Sequence, residues 1–167
     1  MVIADAPKVP WGCIMIKNIA SLSARFVTWL AIQKKLATKD RVGKWMVSVD
    51  KNCVMCNRAV ESTHRMLFDS QYAQEVRSCL FSFLHYRLAN TNFPDDILRM
   101  NKSNKKKTDR AKLIVGVWTE MIYNIWMLRN RKIFYNHSCN IKDFINVIIF
   151  RVPRRMNNRM RQMLVTR

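Results

Sequence analysis

Residues 53–70, CVMCNRAVESTHRMLFDS, contain a Cys-x-x-Cys pair followed by a histidine and an aspartate. A structural zinc site needs four ligands, usually thiolates or neutral imidazoles, and two cysteines at this spacing are typical of such sites. The pair here is Cys53 and Cys56. If two further ligands follow, a metal holds this part of the fold together. If they do not, the loop depends on packing and hydrogen bonds alone.

The sequence on both sides of this stretch predicts a mainly α-helical protein. The 167 residues are 49% hydrophobic but include only 3 Gly and 4 Pro, which argues against a turn-rich all-β fold. Apolar residues recur at helical rather than strand spacing. Helices are predicted at 22–36, 39–46, 71–88, 110–135 and 141–151.

Particular residues are expected to define the faces and starts of these helices. Thr38 and Asn140 are suited to cap the helices that follow them, since short polar side chains accept hydrogen bonds from free backbone N–H groups. In the first helix, the apolar face is expected to comprise Leu22, Phe26, Trp29, Leu30 and Leu36.

Composition changes over residues 89–109, ANTNFPDDILRMNKSNKKKTD, which contain a proline, several asparagines and a lysine run. These are features of a linker or exposed loop, although Asp95 and Asp96 also suit the start of a helix. The sequence therefore predicts a small helical domain at 1–88 with a zinc-knuckle-like cysteine loop, then a basic linker at 89–109. A helical region at 110–167 follows, with a long apolar helix and a basic C-terminal helix.

The charge balance predicts a polyanionic partner. Lys and Arg number 30 against 11 Asp and Glu, for a net charge of +19. Such a field attracts nucleic acid first and anionic membranes second, but it selects no base sequence. An acidic protein is the alternative partner. The side chains expected to contact phosphates are Lys102, Lys105, Lys106, Lys107, Arg110, Arg154, Arg155, Arg159 and Arg161.

The chain is expected to lie inside the cell. Its first residues do not resemble a signal peptide, and no apolar run reaches the roughly 20 residues that span a bilayer. The 5 cysteines are therefore expected to be reduced thiols. The lysine run is suited to serve as a nuclear-import signal, so we expect the nucleus, and otherwise the cytoplasm.

Three segments together resemble one known family. WLAIQKKLATKDR at 29–41 resembles a W-L-A-x-x-x-x-L-x-T-x-D-R segment, and residues 53–62 match its C-x-x-C pair and E-S dipeptide. YNIWMLRNRKIF at 123–134 resembles a segment that commonly follows. The family is the zinc-binding domain located after the polymerase in plant non-LTR (LINE-type) retrotransposon reverse transcriptases. The resemblance implies a zinc-binding domain that helps to hold RNA or target DNA.

Two alignments with this family differ in the metal ligands. Without a gap, Arg65 replaces the family's histidine and Ser70 its last cysteine; arginine has no lone pair for zinc, and serine is a poor ligand. This alignment keeps apolar residues in apolar positions, each worth about 1.5–3 kcal/mol when buried. We therefore expect a degenerate site without a cofactor. A shift of one residue instead predicts a zinc set of Cys53, Cys56, His64 and Asp69.

No catalytic motif is present: the sequence lacks a Gly-rich phosphate loop, a G-x-S-x-G turn and an H-E-x-x-H helix. We therefore expect a non-enzyme that binds RNA or DNA non-specifically through basic surfaces. The alternatives are a protein-interaction module and a retrotransposon remnant without a selected role.

Overall fold

The computed structural model describes residues 9, 11–16, 18–46, 50–87, 92–152, 158 and 162, and this part of the chain is mainly helical, without β-strands. The predicted fold class is confirmed. No helix in these ranges is long and apolar enough to cross a membrane. A π-helical turn, Arg65–Asp69, precedes α4. The α-helices are α1 (Gly12–Ile16), α2 (Leu22–Ile32), α3 (Lys39–Val42), α4 (Gln71–Phe83), α5 (Phe93–Lys105), α6 (Asp109–Tyr135) and α7 (Ile141–Arg151).

Helix α6 is the centre of the fold. It packs against α2, α5, α7 and the π-helical turn, and its Trp118 is fully buried. The apolar core is continuous across the predicted linker, because it contains side chains from both sides of residues 89–109. Its members include Ile14, Val27, Leu80, Ile97, Trp118 and Phe144.

The apolar face predicted for the first helix is confirmed only in part: Leu36 is buried and Leu30 packs against the core. Leu22 and Phe26 are 76% and 59% exposed, whereas the side chains against the core are mostly small. Small side chains let two helices approach closely, so α2 can lie against α6 where a larger apolar face would hold it away. The buried side chains are Ala24, Val27, Thr28 and Ala31.

Gly116 of α6 is required by this close approach. A Cβ atom at this position would lie 2.5 Å from Cγ1 of Ile19, well inside van der Waals contact. We expect Gly116→Val to lower the free energy of unfolding by about 1–3 kcal/mol through overpacking, measured by urea denaturation. In the Ile19→Ala background the same change should cost less, because the obstructing atoms are gone. Equal costs in both backgrounds would contradict this packing.

The helix starts follow the predicted capping residues in part. Asn140 caps α7 by accepting a hydrogen bond from the Lys142 N–H at 2.9 Å, as predicted. Thr38 stands at the start of α3, but its hydroxyl contacts the Asp40 carboxylate instead of capping a backbone N–H. The Lys39 N–H is bound by the carboxylate of Glu61 at 2.9 Å. The start of α3 thus depends on a residue from the cysteine loop.

The predicted linker over 89–109 is wrong for residues 93–105, which form α5. The Asn92 side chain caps this helix by accepting from the Asp95 N–H at 3.0 Å. Its lysines lie near the C-terminal end, where the helix dipole favours positive charge. The polar composition conceals an apolar stripe at helical spacing. That stripe consists of Phe93, Ile97 and Met100, all buried.

A buried ion pair fastens α5 to α4. The Asp96 carboxylate is fully buried and accepts a hydrogen bond from Arg77 Nη2 at 2.7 Å. The Arg77 guanidinium also lies over the ring of Phe68, 4.7 Å from its centre. Burial of charge without a partner is costly, so this pair holds α5 in one position.

Candidate nucleic-acid interface and cysteine loop

The cysteine pair lies in a tight loop closed by backbone hydrogen bonds. Asn52 and Val60 face each other in an antiparallel bridge. The Cys53 N–H donates to the Ala59 carbonyl at 2.7 Å, and the Asn57 N–H donates to the Cys53 carbonyl, also at 2.7 Å. Asn57 has a φ of 50°, a left-handed conformation that asparagine tolerates. The backbone therefore forms the kind of tight turn that a Cys-x-x-Cys pair needs.

Arg65 interacts with this pair through Cys56. Its guanidinium forms a hydrogen bond to the Cys56 sulfur, and the Cys53 thiol donates another. Partial burial raises the pKa of Cys56. The backbone of Arg58, the Cys53 thiol and the Arg65 charge outweigh it and lower that pKa below its ordinary value. Burial raises the pKa of Cys53. The loop therefore contains two thiols whose pKa values shift in opposite directions, with the Arg65 guanidinium beside Cys56.

His64 and Asp69 bind each other rather than the cysteines. Nδ1 of His64 lies 2.9 Å from Oδ2 of Asp69, and its Nε2 accepts from the Phe93 N–H at 3.4 Å. Both ring nitrogens are thus engaged. In the described part of the chain, no three His, Cys, Asp or Glu side chains converge as a metal site. The structure therefore does not assemble the predicted set of Cys53, Cys56, His64 and Asp69.

The π-helical turn Arg65–Asp69 begins with Arg65 beside Cys56. In such a turn the N–H of one residue binds the carbonyl five positions earlier, and here Ser70 N–H donates to Arg65 C=O at 2.8 Å. The turn pairs residue 64 with 69 and residue 65 with 70. Of residues 64 and 65, Arg65 is the one that reaches Cys56. The buried Ser70 hydroxyl is used elsewhere: it accepts from the Ala73 N–H at 3.2 Å and so caps α4.

The residues present do not fit a bound zinc ion. Arg65 lies beside Cys56, at the position that the ungapped alignment assigns to a histidine ligand, and a guanidinium has no lone pair to offer a metal. Two cysteine sulfurs alone do not complete the four-coordinate site that structural zinc requires. The mismatch with zinc is therefore one of ligand chemistry: these side chains do not supply four electron-pair donors.

Glu61 connects the cysteine loop to the rest of the fold. Its carboxylate is fully buried and accepts from the N–H groups of Lys39 and Val54, at 2.9 and 3.3 Å. It also accepts from Nε and Nη2 of Arg129, at 3.1 and 2.5 Å. The Arg129 guanidinium is itself buried and lies over the Trp126 ring. One carboxylate thus ties α3, the cysteine loop and α6 together.

The sequence prediction did not identify this pair. Glu61 and Arg129 stand 68 positions apart, each inside one of the segments that carry the family resemblance. The available signal was weak: Glu61 is the one acid of residues 53–62, but Arg129 is only the first of three cations in residues 123–134.

Five of the residues predicted to bind phosphates lie in the described ranges, and four of them form one exposed patch. Lys102, Lys105, Lys106 and Lys107 are exposed at the end of α5 and in the turn to α6. None of the four forms an ion pair with an acidic side chain in the described ranges. We call these four residues the lysine patch. Their charges are therefore available to an external anion.

Arg110 has a structural contact as well as an exposed position. Its Nη2 donates to the carbonyls of His85 and Leu84, at 3.0 and 3.4 Å, where α4 has just ended. A cation at a helix C-terminus is favoured by the helix dipole. Arg110 therefore anchors the start of α6 beside the lysine patch. The other predicted contacts, Arg154, Arg155, Arg159 and Arg161, lie outside the described residues.

A comparison with known protein families gives a match over the N-terminal part of the chain. Residues 1–76 match the family described as zinc-binding in reverse transcriptase. The match includes the cysteine loop, Glu61, Arg65 and Ser70, and it ends within α4. No curated protein and no solved structure matches the chain. The N-terminal part of the chain is therefore similar to the zinc-binding domain of reverse transcriptases.

Proposed function

We propose that this protein is a non-catalytic, retroelement-derived protein that binds RNA or DNA non-specifically through exposed basic side chains. The observation that carries the proposal is the lysine patch, whose four ammonium groups have no acidic partner in the described ranges. The family match and the net charge of +19 support it. The plant LINE-type origin is part of the proposal and rests on the resemblance of the three sequence segments.

The binding mechanism we propose is the neutralisation of phosphates. Lysine ammonium groups that contact phosphates release condensed counterions, and this release favours binding without reading the bases. The rigid junction of α4, α5 and α6 holds the four lysines in one place, since Arg110 and the Arg77–Asp96 pair fix that junction. Binding should therefore depend strongly on salt and weakly on nucleotide sequence.

We also propose that protein groups replace the metal in the cysteine loop. Arg65 supplies a positive charge to Cys56, and Glu61 with Arg129 supplies the link to α6. The loop then keeps its shape as part of a binding domain without zinc.

A protein-interaction role is the second candidate. Ile16, Leu22 and Phe26 are large apolar side chains exposed close together along α1 and α2. An exposed apolar patch on a folded protein often marks a contact with a partner. A protein with this role alone would show no nucleic-acid affinity. The following measurement therefore separates protein interaction from nucleic-acid binding.

The lysine patch is tested by replacing its four lysines with glutamine and measuring binding to labelled duplex DNA and RNA across salt concentrations. We expect at least tenfold weaker binding at low salt and a salt slope that is less negative by about one unit per lost contact. The matched control replaces Lys34, Lys35, Lys44 and Lys51, which are also exposed. Equal losses in both variants would contradict a defined patch. No binding by the unaltered protein at low salt would refute the proposed function.

A further inference from the structure

Helices α6 and α7 enclose a cleft of about 130 Å³ away from the lysine patch. Its walls include the apolar side chains of Leu128, Phe144 and Val147. Two arginines also line it, Arg131 from α6 and Arg151 from α7. The cleft therefore combines an apolar interior with positive charge from both of its helices.

The two arginines are available to an anion. Both residues are exposed, and neither forms a salt bridge with an acidic side chain in the part of the chain that the structure describes. Arg151 Nη1 has only a long contact, 3.5 Å, with the Asn124 side-chain oxygen. Asp143 is an acidic group near this cleft: its charge raises the pKa of the Cys139 thiol, which lines the cleft, whereas the charge of Arg131 lowers that pKa. The cations at the cleft outnumber this carboxylate.

Exposed aromatic rings continue the surface beyond the cleft. Phe134 and Tyr135 are 72% and 79% exposed at the end of α6. They follow Arg131 by three and four positions, so they lie on the same side of the helix as its guanidinium. Two large rings facing water beside an unpaired arginine suit a ligand that is both flat and anionic.

We propose that the α6–α7 cleft and the end of α6 bind single-stranded nucleic acid. Arg131 and Arg151 hold phosphates, and Phe134 and Tyr135 stack on unpaired bases. A duplex offers phosphates but keeps its base faces covered, so it can use the arginines and not the rings. The inference rests on the proposed function, and it adds a preference for single strands that the lysine patch alone does not produce.

The test compares a short oligouridylate with a duplex of equal length. We expect Phe134→Ala/Tyr135→Ala to weaken binding of the single strand about tenfold or more, with duplex binding unchanged. Arg131→Gln/Arg151→Gln should weaken the single strand more than the duplex. The matched control is Leu22→Ala/Phe26→Ala, which removes equally exposed apolar side chains from α2 and should leave both affinities unchanged.

A second measurement uses the unaltered protein. Oligouridylate carrying 5-bromouridine should crosslink under ultraviolet light to peptides that contain Phe134 and Tyr135. Crosslinks confined to the lysine patch, with single-strand affinity unaffected by the aromatic variant, would overturn the inference and leave the proposed function standing. A change in self-association alone in the aromatic variant would also overturn the inference, because it would identify these rings as a protein interface. No binding to either oligonucleotide would refute both proposals.

Discussion

Replacement of Glu61 by alanine is expected to lower the free energy of unfolding by about 3–5 kcal/mol, as is typical when one partner of a buried ion pair is removed. The Glu61 carboxylate is fully buried and forms the main charged contact of the equally buried Arg129. Without it, the guanidinium remains in a low-dielectric environment, where its Nη1 still donates to the Asn130 side-chain oxygen at 3.0 Å. The N–H groups of Lys39 and Val54 also lose their acceptor.

Urea denaturation followed by circular dichroism measures this effect. The matched control is Glu75→Ala, the same substitution on the exposed face of α4, where the cost should stay within about 0.5 kcal/mol. Joint replacement by Glu61→Leu and Arg129→Met should restore only part of the loss, because it removes the stranded charge but not the two unsatisfied N–H groups. If Glu61→Ala costs no more than the control, this carboxylate does not hold the loop.

The second large effect is the gain of a metal. We expect Arg65→His combined with Ser70→Cys to bind zinc at one ion per chain and to unfold at a higher temperature when zinc is present. The change replaces the guanidinium beside Cys56 with an imidazole and places a cysteine one π-helical turn later, at the two positions that the ungapped alignment assigns to ligands. Structural zinc contributes about 10–16 kcal/mol of binding free energy in small domains, far more than the changes cost. Loss of the Ser70 cap costs about 1 kcal/mol.

The control for this gain is His64→Ala in the same background. His64 binds Asp69 and the backbone of Phe93, so its removal should leave the zinc affinity unchanged. Each single variant should bind zinc far more weakly than the pair, because three ligands do not close a structural site. If zinc affinity depends on His64, the shifted alignment describes the ligands and the assignment of Arg65 is wrong.

The sequence predicted those features that depend on local patterns. The mainly helical class follows from apolar periodicity, and Asn140 was recognised as a cap because capping involves residues a few positions apart. The prediction for the face of α2 was wrong for Leu22 and Phe26, because large apolar side chains were expected inside. The approach of α2 to α6 at Gly116 selects small ones. Asp95 and Asp96 do lie in the first turn of α5, as the sequence suggested, but the rest of this helix was missed because asparagine and lysine dominate its composition.

The sequence predicts the site only where its chemistry depends on one side chain or on residues adjacent in the chain. The unsuitability of Arg65 and Ser70 as zinc ligands follows from side-chain chemistry, and the lysine patch follows from a run of like charges. The contact of Arg65 with Cys56 depends on a π-helical turn, which no periodicity indicates. The Glu61–Arg129 pair depends on how distant segments pack, and a single sequence contains no record of that.

Native mass spectrometry of the protein purified without added metal tests most directly whether side chains, rather than zinc, hold the cysteine loop. We expect the mass of the metal-free chain, folded as judged by a narrow charge-state distribution. The same distribution should persist after treatment with a chelator. A mass that includes one zinc ion, lost together with the folded distribution on chelation, would show that zinc holds the loop.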